Sequence, residues 1–126
     1  MHRSRLGVLV LDCQDGDLDA AADFWSKALG AAVAENSDPQ FKNYAFLEER
    51  PNDPMLIIQK VDHASRIHLD IETDDIEAEA DRHEALGAKR IERFPRWWVM
   101  EAPTGHRFCI INAVRQGFED EANSWD

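Results

Sequence analysis

The stretch "RIHLDIETDD", Arg66 to Asp75, sets His68, Asp70 and Glu72 two residues apart, alternating with Ile67, Leu69 and Ile71. Alternation with period two reads as a half-buried strand. Neighbouring residues of a strand point to opposite faces, so the imidazole and the two carboxylates share one face. Such a set can transfer protons, bind a cation or hydrogen-bond a polar ligand. It does so only if that face lines a pocket; facing bulk water it is ordinary surface. The surrounding elements decide between the two.

Those elements come in two similar copies. "DLDAAADFWSKALGA" (Asp17 to Ala31) lies over "DIEAEADRHEALGA" (Asp75 to Ala88), with one residue deleted in the second copy. Internal repetition is weighed before other patterns. Each copy reads as an amphipathic helix, with Leu18, Ala22, Trp25 and Leu29 on one stripe and Ile76, Ala80, His83 and Leu86 on the other. Gly30 and Gly87 stand where a left-handed C-terminal cap is expected, and acids open both helices, as the dipole favours. A strand-like run precedes each helix, "LGVLVLDC" and "RIHLDIE". Three strand candidates follow each: "AAVAEN", "NYAFLEE" and "PMLIIQKV", then "KRIERF", "RWWVMEA" and "RFCIINAV". The unit is strand, helix and three strands, written twice. Module one covers about 5–62 and module two about 65–115 of a single domain, 1–116, with an acidic tail at 117–126.

Composition narrows the partners. With 126 residues, 44% of them hydrophobic, the chain suits one compact domain. A formal net charge of −11 repels phosphate backbones and anionic bilayers, so neither nucleic acid nor membrane is expected as a partner. No apolar run approaches the length of a membrane span, and the first residues lack the pattern of a signal peptide, which makes the cytoplasm the expected compartment. Two cysteines, Cys13 and Cys109, make no disulfide framework and read as free thiols.

A tandem βαβββ unit whose first helix ends in "FWSKALG" resembles the vicinal oxygen chelate superfamily, which includes glyoxalase I, extradiol dioxygenases, and fosfomycin and bleomycin resistance proteins. "LDCQD", "AADFWSKALG", "PMLIIQKV", "RIHLDIETDD" and "WVMEAPTGHRFCII" carry the resemblance to its glyoxalase-like branch, from Leu11 to Ile111. The resemblance implies an α+β fold: two modules forming a curved mixed sheet around a central cleft, helices on the convex face, in a chain that dimerises with a second copy.

Strand parity combined with that fold assigns faces. Leu9 and Leu11, Ile67, Leu69 and Ile71, and Phe108 and Ile110 should cover the helices. Val8, Val10 and Asp12, then His68, Asp70 and Glu72, then Arg107, Cys109 and Ile111, with Ile57 and Gln59, should face the cleft. Metal-using relatives hold a divalent ion with His, Glu or Gln at four positions, which fall here on Val8, Ile57, His68 and Cys109. Only His68 matches. Val8 and Ile57 offer no donor, and "GHRFC" puts a thiol where relatives carry Glu. The resemblance thus implies a degenerate hard-cation site and no cofactor, unless Asp12, His68, Asp70, Glu72 and Cys109 converge on a relocated divalent metal.

Each candidate also has a plainer reading. His68 reads either as a ligand contact or as a neutral strand histidine bonded to Asp12, Asp70 or a carbonyl. Cys109 reads as a small buried hydrophobe, since surrounding acids would raise a thiol's pKa. Asp12 and Asp70 form a coupled acid pair or lie solvated at the cleft mouth. Trp97 and Trp98 alternate faces, one for the core and one free to stack on a ligand. Gln59 orients a polar group or sits at a rim. His2, His63, His83 and His106 read as surface or packing residues. The expected function is small-molecule binding without metal, in the manner of bleomycin resistance proteins. The alternatives are a metal-dependent lyase, isomerase or dioxygenase, a metal-free acid–base enzyme using His68, and an interaction module.

Overall fold

The computed structural model describes residues Met1–Asp126. The fold class is α+β, with strands of mixed direction. In chain order the elements are β1 (His2–Cys13), α1 (Leu18–Leu29), β2 (Tyr44–Phe46), β3 (Met55–Lys60), β4 (Arg66–Thr73), α2 (Ile76–Ala85), β5 (Lys89–Phe94), β6 (Trp97–Glu101), β7 (Arg107–Asn112), α3 (Phe118–Glu121) and β8 (Asn123–Trp125). The chain divides into two compact units, Leu9–Ile67 and Met1–Val8 with His68–Asp126.

In the unit Leu9–Ile67 the strand order is β2-β3-β1. Strands β2 and β3 are antiparallel, with Tyr44 opposite Gln59 and Phe46 opposite Ile57. Helix α1 starts because the Asp17 side chain accepts the Ala20 N–H, and it ends at Gly30, whose φ of 69° allows its N–H to reach back to Ser26. Its stripe packs as the spacing requires. Ala22 is buried with Leu11, Ala45, Leu47 and Ile58, and Leu18 and Trp25 close over them. Leu29, at the end of the stripe, is largely exposed. The run "AAVAEN" differs from the expectation of a strand. It contributes a single bridge, Val33 to Leu47, because Ala, Glu and Asn lack the branched side chains that hold a pleated surface.

In the other unit the order is β1-β4-β7-β6-β5, with β8 paired to β1. Strands β4 and β7 run parallel, and β5, β6 and β7 form an antiparallel meander. Asp75 caps α2 through the Ala78 N–H. Ile76 and Ala80 of α2 pack on Met100, Phe108 and Ile110, with Ile71 and Trp98 beside them. Gly87, with φ of 107°, ends α2 in the left-handed region as expected, and the Ala88 N–H reaches back to the His83 carbonyl. One detail departs from the helix reading: Leu86 is mostly exposed instead of closing the stripe.

Residues 117–126, read from sequence as an acidic tail, form α3 and β8. Strand β8 pairs His2 with Trp125 and Ser4 with Asn123. Trp125 donates its Nε1–H to Ser4 Oγ at 2.8 Å, and its ring lies 3.9 Å from the Arg82 guanidinium carbon.

A candidate polar centre opposite helix α2

The face of β4, β7 and β6 that turns away from α2 is set by register. Asp70 lies opposite Cys109, and Cys109 lies opposite Val99. His68 precedes Asp70 by two residues and shares its face. The donor atoms of His68, Asp70 and Cys109 all fall within 4.8 Å of one another. His68 Nε2 stands 3.4 Å from Asp70 Oδ1, both side chains being largely shielded. Asp70 Oδ1 is buried and makes no hydrogen bond. A buried carboxylate oxygen without a donor is costly, by roughly 1–3 kcal/mol.

The burial on β4 inverts a simple amphipathic reading. Ile67 is 61% and Leu69 43% exposed, whereas His68 and Asp70 are half-buried and Glu72 is fully buried. Of the apolar set only Ile71 joins the core under α2. The polar face of "RIHLDIETDD" is therefore the shielded one.

Each of the remaining candidates has its own surroundings. Glu72 faces Arg5 and Arg115: Arg5 Nη2 lies 3.5 Å from Glu72 Oε1, and the Arg115 N–H donates to the same oxygen at 3.3 Å. A Cβ on Gly7 would come within 2.8–2.9 Å of the Glu72 side chain, so only glycine leaves room for it. Glu72 acts as a buried anchor of the β1 and β4 ends. Asp12, also buried, lies 3.6 Å from Arg66 Nε and 4.0 Å from His63 Nε2 in the unit Leu9–Ile67. Burial and the Asp12 charge raise the Cys13 thiol, which keeps it protonated. Gln59 donates to the Tyr44 hydroxyl at 3.2 Å. Trp98 lies on the helix side, packs on the α2 core and donates to Glu77 at 2.8 Å. That bond, with help from Arg90 and Arg93, holds the Glu77 carboxyl below its usual range, although burial opposes it. Trp97 takes the other face, opposite Ile111, stacked on Phe94 with ring centroids 4.8 Å apart.

Sequence reasoning passed over Glu79. It is fully buried, hydrogen-bonded to His2 Nε2 at 2.7 Å and held by Arg82 at 2.8 and 2.9 Å. Burial pushes its carboxyl up, but Arg82, Ser4, His2 and His83 outweigh that and lower it to about 2. The available signal was its position three residues after Ile76, on the flank of the α2 stripe.

A family model described as a glyoxalase-like domain matches residues 8–111. The chain belongs to the glyoxalase-like domain family. Solved structures agree on the fold of this glyoxalase-like protein. It resembles a methylmalonyl-CoA epimerase in complex with methylmalonyl-CoA and ammonium, with a TM-score of 0.66 and 16% identity over 89% of this chain and 96% of that one. It also resembles the methylmalonyl-CoA epimerase of Mycobacterium tuberculosis, with a TM-score of 0.61 and 13% identity over 88% and 89% of the two chains. An extradiol ring-cleaving dioxygenase from B. fuscum aligns with a TM-score of 0.58 and 15% identity over 88% of this chain and 33% of that one. Together with the family match, these folds support the resemblance to the vicinal oxygen chelate superfamily. Among curated proteins no relative matches it. No helix is long and apolar enough to cross a membrane.

Proposed function

We propose that this glyoxalase-like protein binds a small molecule on the face opposite α2, with His68, Asp70 and Cys109 as the polar centre, and does so without the hard divalent cation of metal-using relatives. The observation that carries this reading is the buried Asp70 Oδ1, which lacks a hydrogen bond while His68 stands 3.4 Å away. A ligand N–H or O–H would supply the missing donor. Trp97, stacked on Phe94, offers an aromatic surface on the same face of the sheet. Val8 and Ile57, at family ligand positions, carry no donor atoms. The methylmalonyl-CoA in one structural neighbour is support for a small organic ligand on this fold. A homodimer in the cytoplasm is part of the same proposal, and sedimentation velocity tests the dimer.

One observation favours a second reading. Imidazole, carboxylate and thiol within 4.8 Å fit a borderline ion such as zinc, with one coordination position left for substrate. They do not fit magnesium or calcium, which take oxygen ligands. In that case His68, Asp70 and Cys109 hold the ion, and it supplies Lewis-acid polarisation of a substrate carbonyl. The deciding experiment is metal analysis of protein purified without affinity-tag metal, followed by titration with zinc, nickel, manganese and iron(II). The first reading expects no stoichiometric metal, together with small-molecule stabilisation that His68→Ala removes while the fold persists. Stoichiometric metal lost in His68→Ala overturns it and establishes the second.

A further inference from the structure

The unit Leu9–Ile67 contains a cavity of about 500 Å³, a volume suited to a small organic ligand. Two of its walls are the rings of Phe41 and Phe46, with centroids 5.6 Å apart and planes at 89°. Met55 adds a polarisable wall. Glu35, Asp38, Glu48 and Glu49 also line the cavity, and no lysine or arginine does. Phe46 shares a strand face with Tyr44, and the two rings stack with centroids 6.4 Å apart, which holds Phe46 in place. The turn carrying Phe41 is fixed by its own bonds. Asp38 accepts the Gln40 N–H at 3.1 Å, and Asn36 donates to the Phe41 carbonyl at 3.3 Å.

Aromatic faces attract a cation through the ring quadrupole, and they do so best when the cation is weakly hydrated. Carboxylates around the same cavity add a negative potential that concentrates cations there. An anion is repelled, and a neutral apolar ligand gains nothing from the acids. We propose that this cavity is a binding site for an organic cation of the alkylated ammonium class, with its charge against Phe41 and Phe46 and balanced by Glu48 and Glu49. The site is built wholly from the unit Leu9–Ile67, so it stands independently of the role proposed for His68, Asp70 and Cys109.

The test uses the full chain and phenyltrimethylammonium as the probe, with tert-butylbenzene as its neutral isostere. Binding is read from the Met55 methyl resonance and from calorimetry. The expected result is saturable one-to-one binding with a Met55 shift, weakened about tenfold in Phe41→Leu and in the double variant Glu48→Gln, Glu49→Gln, and unchanged in Asp70→Asn. All these substitutions fall on half-buried or exposed side chains, and thermal unfolding confirms that each variant folds. No Met55 shift at millimolar probe overturns the proposal. So does equal binding of the neutral isostere, which would mark a merely apolar cavity. Binding lost in Asp70→Asn but kept in Phe41→Leu places the cation at the polar centre and likewise overturns it.

Discussion

At the residue scale, the proposed polar centre rests on an unmet hydrogen bond. Asp70 Oδ1 is buried beside His68 without a hydrogen bond, an arrangement that folding alone does not favour. Asp70→Asn keeps the shape and removes the buried charge. The variant is expected to gain about 1 kcal/mol of stability, the usual scale for relieving a strained functional group, while losing ligand response. Urea unfolding checks the first part and ligand-dependent thermal shifts the second; a destabilised Asp70→Asn would make Asp70 structural. Glu79 behaves in the opposite way, since every neighbour supports its charge. Its carboxyl is lowered from the ordinary 4.5 to about 2, so the stability it contributes is present above pH 4.5 and drains away as the pH falls towards 2. Glu79→Gln is expected to cost about 3 kcal/mol at pH 7, because Arg82 and His2 lose a buried partner. The deficit relative to wild type should shrink in urea titrations carried down to pH 3. His68 and Asp70 were legible in the sequence because period two marks a shared strand face. Glu79 was not, because a charged residue on a helix flank reads as solvated until a tertiary partner covers it. Here that partner is His2, 77 residues away.

At the element scale, the two helices and the strands following α2 were legible because helix stripes, N-cap aspartates and alternating strands are local signals. The strand expected at "AAVAEN" failed for lack of side chains to hold a ladder, and the C-terminal residues hid their structure for a different reason. "FEDEANSWD" is dominated by acids and has no periodicity, so its strand is specified by the partner edge of β1 rather than by its own sequence. What holds β8 there is Trp125, through its bond to Ser4 and its stack on Arg82. Arg82 in turn holds Glu79. Trp125→Ala is therefore expected to cost about 2 kcal/mol, from lost aromatic burial and a lost cation–π contact. Hydrogen exchange should show the amides of β8 and the first residues of β1 losing protection together. If β8 frays with no change in the unfolding midpoint, the strand is an ornament rather than a support.

At the scale of the whole molecule, the repeat made the α+β class legible, whereas the proposal of a metal-free site rests on Val8 and Ile57, which the resemblance puts at ligand positions and whose side chains carry no donor. Charge is the property that belongs to no single residue. With 25 acids against 14 lysines and arginines, carboxylates outnumber the basic side chains that could neutralise them. The exposed pairs are concentrated on Arg90, which meets Glu77, Asp81 and Glu84. Such surface pairs contribute little each, about 0–1 kcal/mol, and salt weakens them. Salt also weakens the repulsion among the remaining acids, which acts more strongly in the compact state than in the expanded chain. At a net charge of −11 the second effect should win. Raising sodium chloride from about 10 mM to about 150 mM, which shortens the Debye length from roughly 30 Å to 8 Å, is expected to raise the unfolding midpoint. Potassium chloride should act identically, because screening depends on ionic strength alone. Tetramethylammonium chloride should raise the midpoint further if an alkylated cation binds the folded state, since mass action adds to screening. A midpoint that falls with sodium chloride would mean that the Arg90 network, not the acidic excess, dominates the electrostatics of folding.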